Sequence, residues 1–409
     1  MSTLVQLSLI LSLGCQTEDP KDNNRLSEDS SAASDEPITP MDVNVFAAIC
    51  KEELGLPSEP LPPMNCLDGI EVPILIDGVP VNEENYAMLA AGEIGCDHPS
   101  WLNSDEPCSN YSFVNRYELS DDVTAMLFCR KKKMSSHLSP AERYEAYAED
   151  PSREKFEALF FFDTIGLIWT NNRTGKTCFF DNKNPNFFAG YIPSPEDKRL
   201  PQATDLPNPA PPEELLDEIL SQKSTDIWRR PIDTRQHARC NICHDSAPFV
   251  HTPHLNSLNI VPPTNPSLPY QIIMAGIGEE TVILEAKAIS TTDVQGEDGP
   301  EPQVCTSCHH IGNERSCELF VSYYTGQMTA PGQREGMSFH ERVLMPPYAY
   351  DDLSEEEAET LWLEKYQHHL DKLLCCCEQP DALGCQSKDL TVGPGEGITM
   401  GEGPHSCEP

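Results

Sequence analysis

Two pentapeptides carry the most specific chemistry in this chain: Cys240-Asn241-Ile242-Cys243-His244 and Cys305-Thr306-Ser307-Cys308-His309. Both read Cys-x-x-Cys-His. Two thiols at this spacing, at the start of a helical turn, reach the two vinyl groups on one edge of a porphyrin, and the next residue brings an imidazole under the iron. The pattern therefore points to two covalently bound c-type haems. Cys240, Cys243, Cys305 and Cys308 are the expected attachment points, and His244 and His309 the expected proximal ligands. Zinc is the competing chemistry, because two Cys-x-x-Cys pairs also make four thiolate ligands. The long interval from Cys243 to Cys305, and a histidine after each pair that zinc does not require, favour haem. A redox dithiol is less well supported, since no βαβ pattern surrounds either motif.

Downstream of the second motif, Met345-Pro346-Pro347 precedes Ser354-Glu355-Glu356-Glu357, a capping box that opens an amphipathic helix. Ala358, Leu361, Trp362, Tyr366, Leu370 and Leu373 recur on it at helical spacing. This stretch, roughly residues 302–373, resembles the end of a class I cytochrome c. In that family a methionine before two prolines gives the iron its sixth ligand, and a terminal helix crosses the helix bearing the haem cysteines. The resemblance implies that Met345 is the distal ligand of the haem on Cys305, Cys308 and His309, with the first haem as its alternative partner. For the first haem the sixth ligand stays open among His254, Met274 and none. Met274 reads more naturally as a core residue, and His254 equally as an exposed loop residue.

The remaining cysteines divide evenly. Of seventeen, setting aside Cys15 and the four haem cysteines leaves Cys50, Cys66, Cys96, Cys108, Cys129 and Cys178 on one side, and Cys317, Cys375, Cys376, Cys377, Cys385 and Cys407 on the other. Each set of six can close internally as disulfides, in fifteen ways. A soft-metal site at Cys375-Cys376-Cys377 is the weaker reading, because disulfides anchoring the tail explain the run without a metal.

So many cysteines belong in an oxidising compartment, and the chain start supplies a route there. Leu4 to Leu13 is mostly apolar, ends at Gly14-Cys15, and passes at once into a polar stretch. It is too short for a permanent membrane span but suits a secretion signal. Its end resembles a bacterial lipoprotein signal, which implies lipidation of Cys15 and a protein anchored on the periplasmic side of a bacterial membrane or on the outer membrane. Acidic residues outnumber basic ones by 66 to 28, a net charge of -38. That excludes nucleic-acid binding through a basic face and favours redox partner proteins with a basic docking surface.

Composition sets the expected organisation. Residues 1–15 form the signal, and 16–40 an acidic, disordered tether. Residues 41–190 form an α+β or mostly β N-terminal domain, stapled by disulfides and of unknown function. Within it, Ser139-Pro140-Ala141-Glu142 starts a helix, and the apolar run from Phe160 to Trp169, the turn Asn171-Asn172-Arg173-Thr174-Gly175 and the run Thr177-Cys178-Phe179-Phe180 form a β-hairpin. Residues 191–221 read as a Pro-rich spacer, 222–375 as a mainly helical, dihaem cytochrome c-like domain, and 376–409 as a flexible, cysteine-containing tail. The function expected is electron transfer through two covalent haems. One alternative is a haem enzyme resembling di-haem cytochrome c peroxidases, and another a surface binding protein with accessory haems.

Overall fold

The computed structural model describes residues 41–73, 112–131, 140–182, 187–206, 210–230, 244–249, 269–275, 281–291 and 353–390, with shorter stretches besides. Its main element is a seven-stranded sheet of β1 (Ile70–Glu71), β2 (Phe113–Glu118), β3 (Val123–Arg130), β4 (Thr164–Asn171), β5 (Lys176–Asp181), β6 (Gln271–Ala275) and β7 (Thr281–Glu285), whose spatial order follows the chain. Neighbours are antiparallel except β5 and β6, which run parallel with Gln271 opposite Lys176 and Ile272 opposite Thr177. A parallel pair needs a crossover connection. Residues 182–270 supply it, and the first Cys-x-x-Cys-His motif lies on that crossover.

The sheet is buried on both faces. Because side chains alternate along a strand, Val123, Ala125, Leu127 and Cys129 join Leu167, Trp169, Cys178, Phe180 and Ile273 in one core, which also includes Phe46 and Cys50 of helix α1 (Val43–Leu54). Met126 and Ile168 face the other way, with Val114, Phe249 and Ile260. This two-sided burial explains why β3 reads as a nearly unbroken apolar run. Helix α1 is capped at its start by Asp42, which accepts from the Asn44 amide at 2.9 Å, and ended by Gly55 at φ 75°. Two disulfides, Cys50–Cys178 and Cys66–Cys129, fasten the N-terminal segment to the sheet.

The expected hairpin is present as β4 and β5. Asn171 Oδ1 accepts from the amides of Arg173 and Thr174, each at 3.0 Å, and Gly175 follows at φ 72°. Gly175 is also where the crossover returns: a Cβ there would lie 1.7 Å from the Pro269 carbonyl oxygen, and the Gln271 amide donates to the Gly175 carbonyl at 3.0 Å. The helix expected from Pro140 is present as α2 (Pro140–Glu149), but it ends there and Ser152 caps a separate helix α3 (Arg153–Phe160), which takes Phe156 and Phe160. Tyr147, Phe156 and Phe160 form a second cluster, joined by Leu215 and Ile219 of α4 (Glu213–Ser221).

Three expectations about the later chain need correcting. Residues 191–221 are not a free spacer. The Pro193 carbonyl accepts from Trp228 Nε1 at 2.7 Å, Glu196 pairs with Lys51 at 3.3 Å, and Met64 and Ile192 form a β-bridge. Proline has no N–H to satisfy, so burying a Pro-rich strip leaves only its carbonyls in need of partners. Gln271–Ala275 and Thr281–Glu285, expected in a mainly helical haem domain, are strands that extend the sheet begun before the supposed spacer. Nor is 376–409 a loose tail. A second sheet of β8 (Lys287–Thr291), β9 (Ile311–Gly312), β10 (Cys385–Asp389) and β11 (Ile398–Met400) has the order β9-β8-β10-β11, antiparallel throughout, so two of its strands come from that tail.

Helices α6 (Glu355–Lys365) and α7 (Gln367–Glu378) complete this second region; α5 (Ser224–Ile227) belongs to the first. The capping box forms as read, with Ser354 and Glu357 bonding each other's backbone amides, and Ala358, Trp362 and Leu370 are buried. Three disulfides radiate from the end of α7: Cys317–Cys377, Cys375–Cys407 and Cys376–Cys385. Among the described residues every cysteine is so paired, and no disulfide joins the two sets of six. The sulfurs of Cys376, Cys385 and Cys407 lie within 4.8 Å of one another. Being disulfide sulfurs, they are not thiolate ligands, and the soft-metal reading of Cys375-Cys376-Cys377 falls away.

Candidate functional site

His244 is the member of the two motifs that the structure describes. Cys240, Cys243, Cys305, Cys308, His309, His254, Met345 and Cys15 lie outside the described residues. His244 sits on the second face of the large sheet. Its ring centroid is 5.1 Å from that of Phe179 on β5, and its carbonyl accepts from Tyr270 Oη at 2.8 Å. Strand alternation aims both neighbours at it, since Phe179 lies on the same face as Met126 and Ile168, opposite Cys178 and Phe180. The chain beyond the motif then covers the face, with Phe249 and Ile260 meeting Val72, Val114, Met126 and Ile168.

The electrostatics around His244 favour a neutral imidazole. Part of the residue touches solvent, yet its Nδ1 is shielded and has no hydrogen-bond partner among the described residues. Burial pulls its pKa down to about 4; the backbone of Pro248 and Ala247 acts the other way, and the charge of Arg130 adds to the depression. An imidazole must be unprotonated to ligate a metal, and a neutral His244 meets that condition. His244 therefore fits the part of a haem-iron ligand, and the aromatic and aliphatic groups around it suit an apolar macrocycle. A haem held there would supply one-electron exchange, or binding of a small oxidant if an axial position stayed open.

Arg130, whose charge acts on His244, acts also on Asp181. Arg130 ends β3, and Asp181 ends β5 with Arg229 3.9 Å away. Asp181 keeps part of its side chain in solvent, but desolvation raises its carboxyl pKa more than Arg229 and Arg130 lower it. Asp245 and Ser246, directly after His244, are both buried.

Asp245 connects this site with the second motif. A Cβ on Gly312 would lie 2.0 Å from Asp245 Cγ, so the carboxyl group rests directly against the Gly312 backbone. Gly312 is on β9, opposite Ala288 of β8, and follows His309 by three residues. Ile311 beside it is buried with Cys317, Leu373 and Cys376, so helix α7 packs against the strand that leaves the second motif. Met274 lies on β6 in a buried cluster with Tyr270, Ile272, Ala286 and Leu390, packed against Phe179. It is a core residue that shares one aromatic neighbour with His244.

Sequence reasoning had no means of finding Phe179, Tyr270 or Arg130, which the fold rather than sequence proximity brings to His244. Gly312 gives a cue, as a glycine just past the second motif. Comparison with protein-family models, curated proteins and solved structures finds no match to this chain. Among the described residues no helix is long and apolar enough to cross a membrane.

Proposed function

We propose that this protein is an exported electron carrier holding two covalent c-type haems, at Cys240 and Cys243 with His244 and at Cys305 and Cys308 with His309, and tethered to a membrane through a lipid on Cys15. The observation that carries the reading is the pairing of two Cys-x-x-Cys-His pentapeptides with a first-motif histidine held neutral against an aromatic ring. Complete pairing of the described cysteines outside the motifs supports an oxidising compartment and hence export. The acidic surface suits a partner with a basic docking face, and their association should slow as ionic strength rises.

The contact between Asp245 and Gly312 favours a second reading. It places the segments after the two motifs side by side, which weakens the objection that the cysteine pairs are too far apart in sequence for one four-thiolate metal site. Pyridine haemochrome analysis of the full chain, matured with haem-attachment machinery, separates the two. The electron-carrier reading expects two haems per chain, and one in a Cys240→Ala/Cys243→Ala variant. One zinc per chain with no Soret band would overturn it in favour of the thiolate site.

A further inference from the structure

Three consecutive cysteines at the end of α7 each begin a disulfide, and two of those bonds meet. The sulfurs of Cys376, Cys385 and Cys407 lie within 4.8 Å of one another, although Cys407 is bonded to Cys375 and Cys376 to Cys385. The Cys375–Cys407 bond therefore ends beside a second disulfide. Its two ends differ in access. Cys375 keeps part of its surface in solvent, whereas Cys407 is only 5% exposed and Cys376 and Cys385 are fully buried. A thiolate arriving from solvent meets Cys375, and the sulfur it displaces is the inner one, Cys407.

The displaced sulfur does not depend on its disulfide to stay in place. The Cys407 amide donates to the Leu383 carbonyl at 3.0 Å, and Ser406 forms a parallel β-bridge with Leu383. Cys385 is held opposite Thr291 of β8, and Cys376 by the backbone of α7. A nucleophile fixed beside its target reacts far faster than the same group free in solution.

We infer that Cys375, Cys376, Cys385 and Cys407 form a thiol–disulfide exchange site that takes two electrons from a dithiol and passes the opening inward. One thiolate of the dithiol attacks Cys375 Sγ, forming a mixed disulfide and expelling Cys407 as a thiolate. The second thiolate of the dithiol then attacks its own partner sulfur, so that the reductant leaves as a disulfide and Cys375 takes up a proton. Cys407 next attacks Cys376 or Cys385, forming one S–S bond and expelling the other sulfur as a thiolate, with no net electron transfer. Either product replaces the bond between α7 and β10 with one to the chain end. The site uses no cysteine of the Cys-x-x-Cys-His motifs, so it stands or falls independently of the proposed function.

The test treats the full chain, matured with haem, with one equivalent of dithiothreitol. After an acid quench and alkylation, cleavage at Glu378 and Glu402 separates the cysteines of α7 from Cys385 and Cys407 for mass spectrometry. Alkyl groups are expected on Cys375 and on either Cys376 or Cys385, with Cys407 joined to whichever of those two is unmodified. Alkylation of Cys375 and Cys407 with Cys376–Cys385 intact would overturn the inference, as would first opening of any other disulfide with these two untouched. In Cys407→Ser, alkylation of Cys376 and Cys385 should be lost. Alkylation there at the level of the unmodified protein would show that the reductant opens the buried bond directly, and would equally overturn the relay. Should that variant fail to fold, the partner of Cys407 in the unmodified protein decides the matter.

Discussion

The two sheets of this protein are held by different means. The seven-stranded sheet has large apolar side chains on both faces, among them Trp169, Phe113 and Met126, all essentially inaccessible to solvent. Its disulfides join elements that already share a core. Around the four-stranded sheet, the buried cluster is Ile311, Cys317, Leu373, Cys376, Ala382, Cys385 and Cys407, in which cystine sulfur replaces most of the hydrocarbon. A small layer cannot bury enough apolar area to offset the entropy of ordering its chain, and covalent staples make up the difference. Cysteine frequency in this chain thus follows core size.

That contrast can be broken at either end. Trp169→Ala should have the largest effect, about 3–5 kcal/mol of global stability, because it empties a site 4.7 Å in ring-centroid distance from Phe180 at the centre of the large core. Chemical denaturation would measure it, and a loss within experimental error would show that the large sheet does not rest on packing. Next comes the double variant Cys376→Ser/Cys385→Ser, expected to cost the C-terminal region about 2–5 kcal/mol. Its signature is local: hydrogen-exchange protection should fall in α6, α7 and β10 and stay unchanged in β3 and β4. The smallest effect sharpens the comparison further. Ser354→Ala removes the hydroxyl that caps α6 and should cost about 1 kcal/mol, with exchange quickening only in that helix's first turn.

What the sequence made legible was local. The β4–β5 hairpin followed from an apolar run, an Asx turn and a glycine. Helix α2 followed from Pro140 at its first position, and α6 from Ser354 and Glu357. The even split of cysteines anticipated closure within each half. What stayed hidden was long-range. Nothing in Gln271–Ala275 announces that it pairs in parallel with Lys176 and Thr177 across the whole crossover. A Pro-rich strip looks like a spacer until its carbonyls meet Asn44 and Trp228. Pairing of Cys385 and Cys407 with the run at the end of α7 turns an apparent tail into strands, and disulfide connectivity cannot be read from spacing. The site divides in the same way. His244 was evident from its pentapeptide, whereas the ring beside it and the glycine that lets the second motif's exit approach come from other strands.

Gly175 has a consequence reaching beyond its own turn. Most hairpin glycines can be replaced at the cost of some backbone strain, since only the loop must adjust. Here the bare α-carbon is also the doorway through which the returning polypeptide reaches its berth beside Lys176. A methyl group at this one position would disturb two junctions at once, so the joining of the earlier and later portions of the large sheet is governed by an atom the residue does not have.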